Sequence, residues 1–139
     1  MDVKPTNRTA LSAGLLINSL LASDDKVKAA VTRVFPVIAE EKATVPYICY
    51  KRDNLNRTSV KTVRGANATT YVVEVFAKNY KESVCIAELV AEALDGVEAT
   101  YTDDDGTCLV ARSITLTDGA EGWSGDAYYQ QLFFEIRVN

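Results

Sequence analysis

Catalysis and metal binding draw on few side-chain types, and this 139-residue chain is poor in the combinations they need. It has no histidine. That removes Ser–His and Cys–His nucleophile pairs and the common mixed ligand sets for metals. Three cysteines, Cys49, Cys85 and Cys108, are odd in number and far apart. They give neither a disulfide framework nor a zinc knuckle, and predict buried free thiols in a reducing compartment. Asp103-Asp104-Asp105-Gly106 offers carboxylates for calcium, but lacks the alternating spacing and closing glutamate of an EF-hand loop. It predicts instead a hairpin turn with its acids in water. Glu88 and Glu92 share one solvated helix face, and nothing pairs them, Glu74 or Glu135 for acid–base work. No catalytic, cofactor-binding or metal-binding residue is assigned.

Two stretches are candidates for contact with a partner. Gly119, Gly122 and Gly125 have the look of a phosphate-cradling loop, but such loops run into a helix N-terminus and this one runs into a strand. Residues 118–125 therefore predict a flexible strand connection. Trp123, the sole tryptophan, sits within it. It is either a docking anchor, as tryptophan often is at interfaces, or a ring folded back on the sheet. Residues 53–67 are the least structured interior stretch, a long hairpin arm or loop. There Arg57, Lys61 and Arg64, with Arg52 just before them, face a single acid, Asp53. Those cations meet phosphates, an acidic partner or only water. Aromatics are not interleaved with them, as they would be in a single-strand binder.

The elements that must position these groups follow from length and pattern. A chain of this size is most simply one domain, residues 1–139 with 1–8 as a flexible lead-in. It can bury roughly two thirds of its unfolded surface without a covalent staple. Net charge is −4, which argues against a general nucleic-acid binder. The Leu-rich run 11–21 is broken by Ser12, Gly14, Asn18 and Ser19, too short and polar to span a bilayer. With no signal peptide in view, the expectation is a soluble product, intracellular at synthesis.

Thr9 can cap a helix over residues 10–22, with Ala13, Leu16, Ile17, Leu20 and Leu21 on one side. Leu11 and Leu15 fall on another side, so either the fold or a partner must cover both. Ser23-Asp24-Asp25 caps a short turn over 26–31. Pro36 restricts residues 33–38 to an edge strand or extended segment. Residues 47–52 make a strand. Residues 68–77 are apolar on both faces, as in a central strand. Asn79 and Glu82 have capping-box spacing ahead of a helix over 80–94, which Gly96 stops. Its arc of Ile86, Ala87, Val90, Ala93 and Leu94 lies on the sheet. Residues 97–103 and 107–117 make a hairpin about Asp105-Gly106. Residues 126–138 alternate cleanly and predict a strand beside the central one.

The order of parts resembles the phage tail terminator family, also called tail completion proteins, minor tail proteins of the head–tail joining region. Arg33-Val-Phe-Pro36 followed by Pro46-Tyr-Ile-Cys-Tyr50 carries part of the likeness. Tyr71-Val-Val-Glu-Val-Phe-Ala77 with Tyr80-Lys-Glu82 and the helix Ala87 to Leu94 carries most of it. The ending Tyr128 to Val138 and the leading leucines Leu15, Leu16, Leu20 and Leu21 complete it. These are folding motifs, and the family has no active-site residues to carry over.

The resemblance implies structural work in the virion and no enzyme activity. Such proteins are small α+β domains forming a hexameric ring, monomeric in isolation until the tail tube is present. The ring caps the head-proximal end of the tube, stops its growth and meets the head connector or stopper protein. DNA passes through the lumen without specific binding, and no membrane is involved. With the elements above, the expected fold class is α+β: a single domain with a mainly antiparallel sheet of four to five strands and two main helices packed on one face. Two other functions stay open at this point. One is another head–tail joining component, such as a connector stopper. The other is a small cytosolic ligand-binding α+β protein.

Overall fold

The computed structural model describes Pro5 and residues 7–56 and 67–138. Among the described residues the first element is a 3-10 turn, Ala10–Ser12, where the Leu11 amide donates to the Thr9 side chain. It continues into α1 (Ala13–Ser23) and, after Asp24, α2 (Asp25–Ala30). Asp24 Oδ1 accepts from the amides of Lys26 and Val27 at 3.1 and 3.0 Å, which is why the chain can turn and restart a helix at once. There follow β1 (Arg33–Pro36), β2 (Tyr47–Asn56), β3 (Ala68–Ala77), α3 (Tyr80–Leu94), β4 (Ala99–Thr102), β5 (Cys108–Ser124) and β6 (Ala127–Val138).

The six strands form one sheet in the order β1-β2-β3-β6-β5-β4. Four pairings are antiparallel, and β1 runs parallel to β2. The sheet is therefore mixed and larger than the four to five strands expected. Three α-helices cover one of its faces where two were expected. β1 qualifies as a strand because Pro36 closes it at an outer edge, where a missing amide does no harm.

Alternation decides what each face carries. Ile48, Tyr50, Tyr71, Val73, Val75, Leu109, Ile114, Phe134 and Ile136 point to the helices and form one core with Leu16, Ile17, Leu21, Val27, Ile86, Val90 and Leu94. Phe134 lies at its centre, between Tyr71 on β3 and Leu116 on β5. The α3 arc read from the sequence is the buried one: Ile86, Ala87, Val90 and Leu94 are all inside. Asn79 Oδ1 accepts from the amide of Glu82 at 2.9 Å. At the far end Gly96 takes φ 77°, a conformation glycine adopts without strain. Its amide donates to the Ile114 carbonyl at 2.8 Å, and Asp95 Oδ1 accepts from the Leu116 amide at 2.8 Å. The end of α3 is thereby fastened to the outer side of β5.

Four expectations are corrected. Residues 118–124 are not a loop: β5 runs on to Ser124, paired with β6 down to Ser124 opposite Ala127. A bulge between Leu116 and Asp118 lets the strand continue past its glycines. Arg8 does not belong to a flexible lead-in, since it forms an ion pair with Asp103. The same pair takes Asp103 out of water, unlike the solvated turn acids anticipated. Of the cysteines only Cys49 is buried; Cys85 and Cys108 are exposed.

Candidate assembly surface

Tyr47, Cys49, Val72, Glu74, Phe76, Gln131 and Tyr129 alternate away from the core, on the sheet face opposite the helices. Their aromatic rings form a cross-strand ladder. Phe35 meets Tyr47 edge-on at 5.8 Å, Tyr47 stacks on Phe76 at 5.0 Å, and Phe76 meets Tyr129 at 6.0 Å. Tyr129 continues over Gly122, where an added Cβ would lie 2.6 Å from the ring. Gly122 is thus a seat for an aromatic, not a hinge. Beside the ladder, Cys49, Lys51, Glu74, Val37 and Ile38 line an open hollow. Burial and then the Glu74 carboxylate push the Cys49 thiol up to about 11. A thiol held protonated in this way is a poor nucleophile. Among the described residues no group of three or more His, Cys, Asp or Glu could hold a metal. No helix among them is long and apolar enough to cross a membrane.

Leu55 on β2 aside, the exposed large apolar groups among the described residues fall in two places. One is the free end of the β5–β6 hairpin. Trp123 is 60% exposed there, opposite Tyr128 in register. Tyr80, at the start of α3, packs edge-on against Tyr128 at 5.9 Å. Its hydroxyl donates to Glu121 at 2.9 Å, which raises the tyrosine above its ordinary range. Trp123 has not folded back to become buried on the sheet. Tyr80 and Tyr128 were missed in the sequence because neighbours on β6 and α3 give those stretches a core-forming look.

The other place is the opposite edge of the sheet. Leu11 and Leu15, the leucines left over by the helical pattern, are 55% and 42% exposed. They flank a groove of about 470 Å³ with Pro36, Val37, Lys51 and Arg52 at its sides and Tyr50 and Tyr71 on its floor. Gly14 lets the floor close, since Tyr71 Oη lies 2.7 Å from where a Cβ would stand. Arg52 is tied down by donating to the Leu11 carbonyl at 3.2 Å. The turn after β1 adds to the rim. Val37 has φ 63°, a strained value for a β-branched residue, and Ile38 donates back to the Pro36 carbonyl at 2.7 Å. Val37 and Ile38 are 65% and 76% exposed.

The remaining candidates, Arg57, Lys61 and Arg64, lie outside the described residues. The described strands on either side pair antiparallel, ending with Asn56 opposite Ala68.

Fold and surface together define a small α+β domain whose exposed apolar groups are more conspicuous than any polar cleft. Comparison with known proteins places it. The family model for tail completion protein gp17 matches residues 16–132, and the chain belongs to that family of structural phage tail proteins. Among solved structures, a chain from the virion of a native gene transfer agent particle is similar at 19% identity. The match has a TM-score of 0.70 and covers 88% of this chain and 90% of that one. The bacteriophage SPP1 gp17 protein is similar at 16% identity with a TM-score of 0.55, covering 94% of this chain and 91% of that one. At such identities the likeness is one of fold. No curated protein matches the sequence significantly.

Proposed function

We propose that the chain is a structural component of the virion, without catalytic activity, that closes the head-proximal end of a tail tube. Copies form a ring on the last layer of tube protein, stop its growth and offer a face to the head connector. The observation that carries this is the family match over residues 16–132. The surface agrees with it: exposed tryptophan, tyrosine and leucine side chains at separate places suit a protein with several neighbours. The net charge of −4 suits a lumen through which DNA slides without sticking. The cations Arg57, Lys61 and Arg64 serve contact with an acidic neighbour, and Trp123 serves as a docking anchor.

The test is assembly in the presence of tail tubes, viewed by electron microscopy. Rings at one end of tubes of uniform length are expected, with overlong tubes when the chain is withheld. Binding to the connector with no effect on tube length would make it a stopper instead. Reversing the charge at Arg57, Lys61 and Arg64 together is expected to leave the fold intact and impair joining.

A further inference from the structure

The two exposed apolar places complement each other in shape and charge. The hairpin end projects a single large ring, Trp123, from a stretch carrying Asp118, Glu121 and Asp126. No lysine or arginine occurs from residue 113 to residue 136. Lys78 borders Asp126 at the turn of the hairpin, where the three carboxylates of residues 118, 121 and 126 outnumber it. The groove beside Leu11, Leu15 and Val37 is apolar along its length, has Lys51 and Arg52 on its rim and no carboxylate in its lining. At about 470 Å³ it has room for an indole.

One copy cannot bring the two together. Trp123 lies on β5, three strands from β2 in the sheet order. By register Trp123 is level with Tyr128 and Ala77, and Arg52 is level with Tyr71. At ~3.3 Å per residue and ~4.8 Å per strand, that is about 20 Å along the strands and about 14 Å across them. We infer that copies of this chain join head to tail, the Trp123 hairpin of one seated in the Leu11–Leu15–Val37 groove of the next. A contact between two different patches is heterologous, so it repeats around a closed ring or along an open filament. It also uses each patch once per copy, which a single foreign partner would not do. The inference supplies the self-contact of the ring proposed above and rests on that reading.

The test uses complementary defects. Trp123→Ala removes the knob and leaves the groove; Leu15→Glu spoils the groove and leaves the knob. Both positions are exposed, so unchanged circular dichroism and thermal midpoints are expected. Wild-type chain, monomeric when dilute, should form higher oligomers in native mass spectrometry as concentration rises to about 1 mM, where even contacts worth only ~4 kcal/mol are half-populated. Emission from Trp123, the sole tryptophan, should shift to the blue as they form. Each variant alone should be monomeric. Mixed in equal amounts they should give a one-to-one dimer and nothing larger, because one sound knob and one sound groove remain between them. A wild-type chain that stays monomeric throughout, variants that assemble as wild type does, or a mixture without dimer would each overturn the inference. If Trp123→Ala still caps tubes as rings, the contact is wrong and the capping role stands. If the contact is verified but tubes grow unchecked, the capping role falls and the contact stands.

Discussion

Arg8 and Asp103 are 95 positions apart in the chain, and Arg8 Nε donates to Asp103 Oδ2 at 2.7 Å, with Nη2 closing on the same oxygen. Both side chains are largely out of water, at 16% and 10% exposure. The pair pins the segment before α1 to the β4–β5 turn, and so sets where the leading helix begins. Asp103→Ala should cost about 1–3 kcal/mol in urea unfolding, since it strands a guanidinium in a partly dry site. Arg8→Lys on its own, which keeps the charge opposite Asp103, should lose less than that. An unchanged midpoint for Asp103→Ala would mean that the pair does not order the N-terminal segment.

Leu94 and Leu15 are both helical leucines with opposite fates. Leu94 is fully buried in the core, and Leu94→Ala should lose about 2–5 kcal/mol; Val90→Ala should lose less. Leu15→Ala should stay within about 0.5 kcal/mol of wild type in the monomer. Equal costs at the two sites would contradict the placement of α1.

Gly122 and Tyr129 form a seat and its occupant. Gly122→Ala must displace the Tyr129 ring, and with it the ladder through Phe76 and Tyr47. A loss of about 1–3 kcal/mol is expected. In a double-mutant cycle with Tyr129→Ala the two costs should fail to add, because removing the ring empties the seat. Strict additivity would show that the ring lies elsewhere.

Val37 holds a positive φ that valine resists. Val37→Gly relieves that strain and adds chain entropy to the unfolded state, for a net gain of about 1 kcal/mol. It also removes an apolar group from the groove rim. The same variant should therefore be more stable as a monomer and poorer in assembly. A destabilised monomer would mean that the turn does not store the strain.

The three thiols should separate by reactivity. Cys85 and Cys108 are exposed, whereas Cys49 is buried with its thiol pushed up to about 11. At pH 8, iodoacetamide should label two cysteines quickly and Cys49 at least about 100-fold more slowly, read by peptide mass spectrometry. The ordinary value of the thiol is 9.0, so folding favours its protonated form. That contribution to stability is complete below about pH 9 and is lost as pH rises towards 11. Replacing Cys49 with alanine should flatten this alkaline decline.

What could be read in the sequence was whatever local chemistry controls. The cap at Asn79, the stop at Gly96, the buried arc of α3 and the alternation of β6 each depend on neighbours within a few positions, and each appears where the pattern put it. The leftover leucines Leu11 and Leu15 were legible as surplus to the core, and they are exposed. Tertiary pairing overrode local signals elsewhere. Glycines at 119 and 122 suggested a loop, but β6 supplies a full ladder of partners, and a bulge absorbs the misfit before them. Arg8 could not be placed, because its partner is 95 residues away. Val37 gave no hint of its backbone, since nothing about valine invites a positive φ.

The outer side of β5 differs in three parts along its length. β4 pairs with its first residues, Cys108–Ala111, and the end of α3 then holds Ile114 and Leu116. Beyond the bulge the stretch 118–124 has no further strand beside it among the described residues. A bare edge invites any passing chain to extend the sheet, and runaway stacking is the usual hazard. Here the ladder is kinked at its start, interrupted by two glycines and lined with Asp118 and Glu121, while Asp118 Oδ1 occupies the Gly119 amide at 2.8 Å. Concentrated stocks should accordingly resist fibril formation, and replacing Asp118 and Glu121 with valine should convert this hairpin into a seed for thioflavin-positive aggregates.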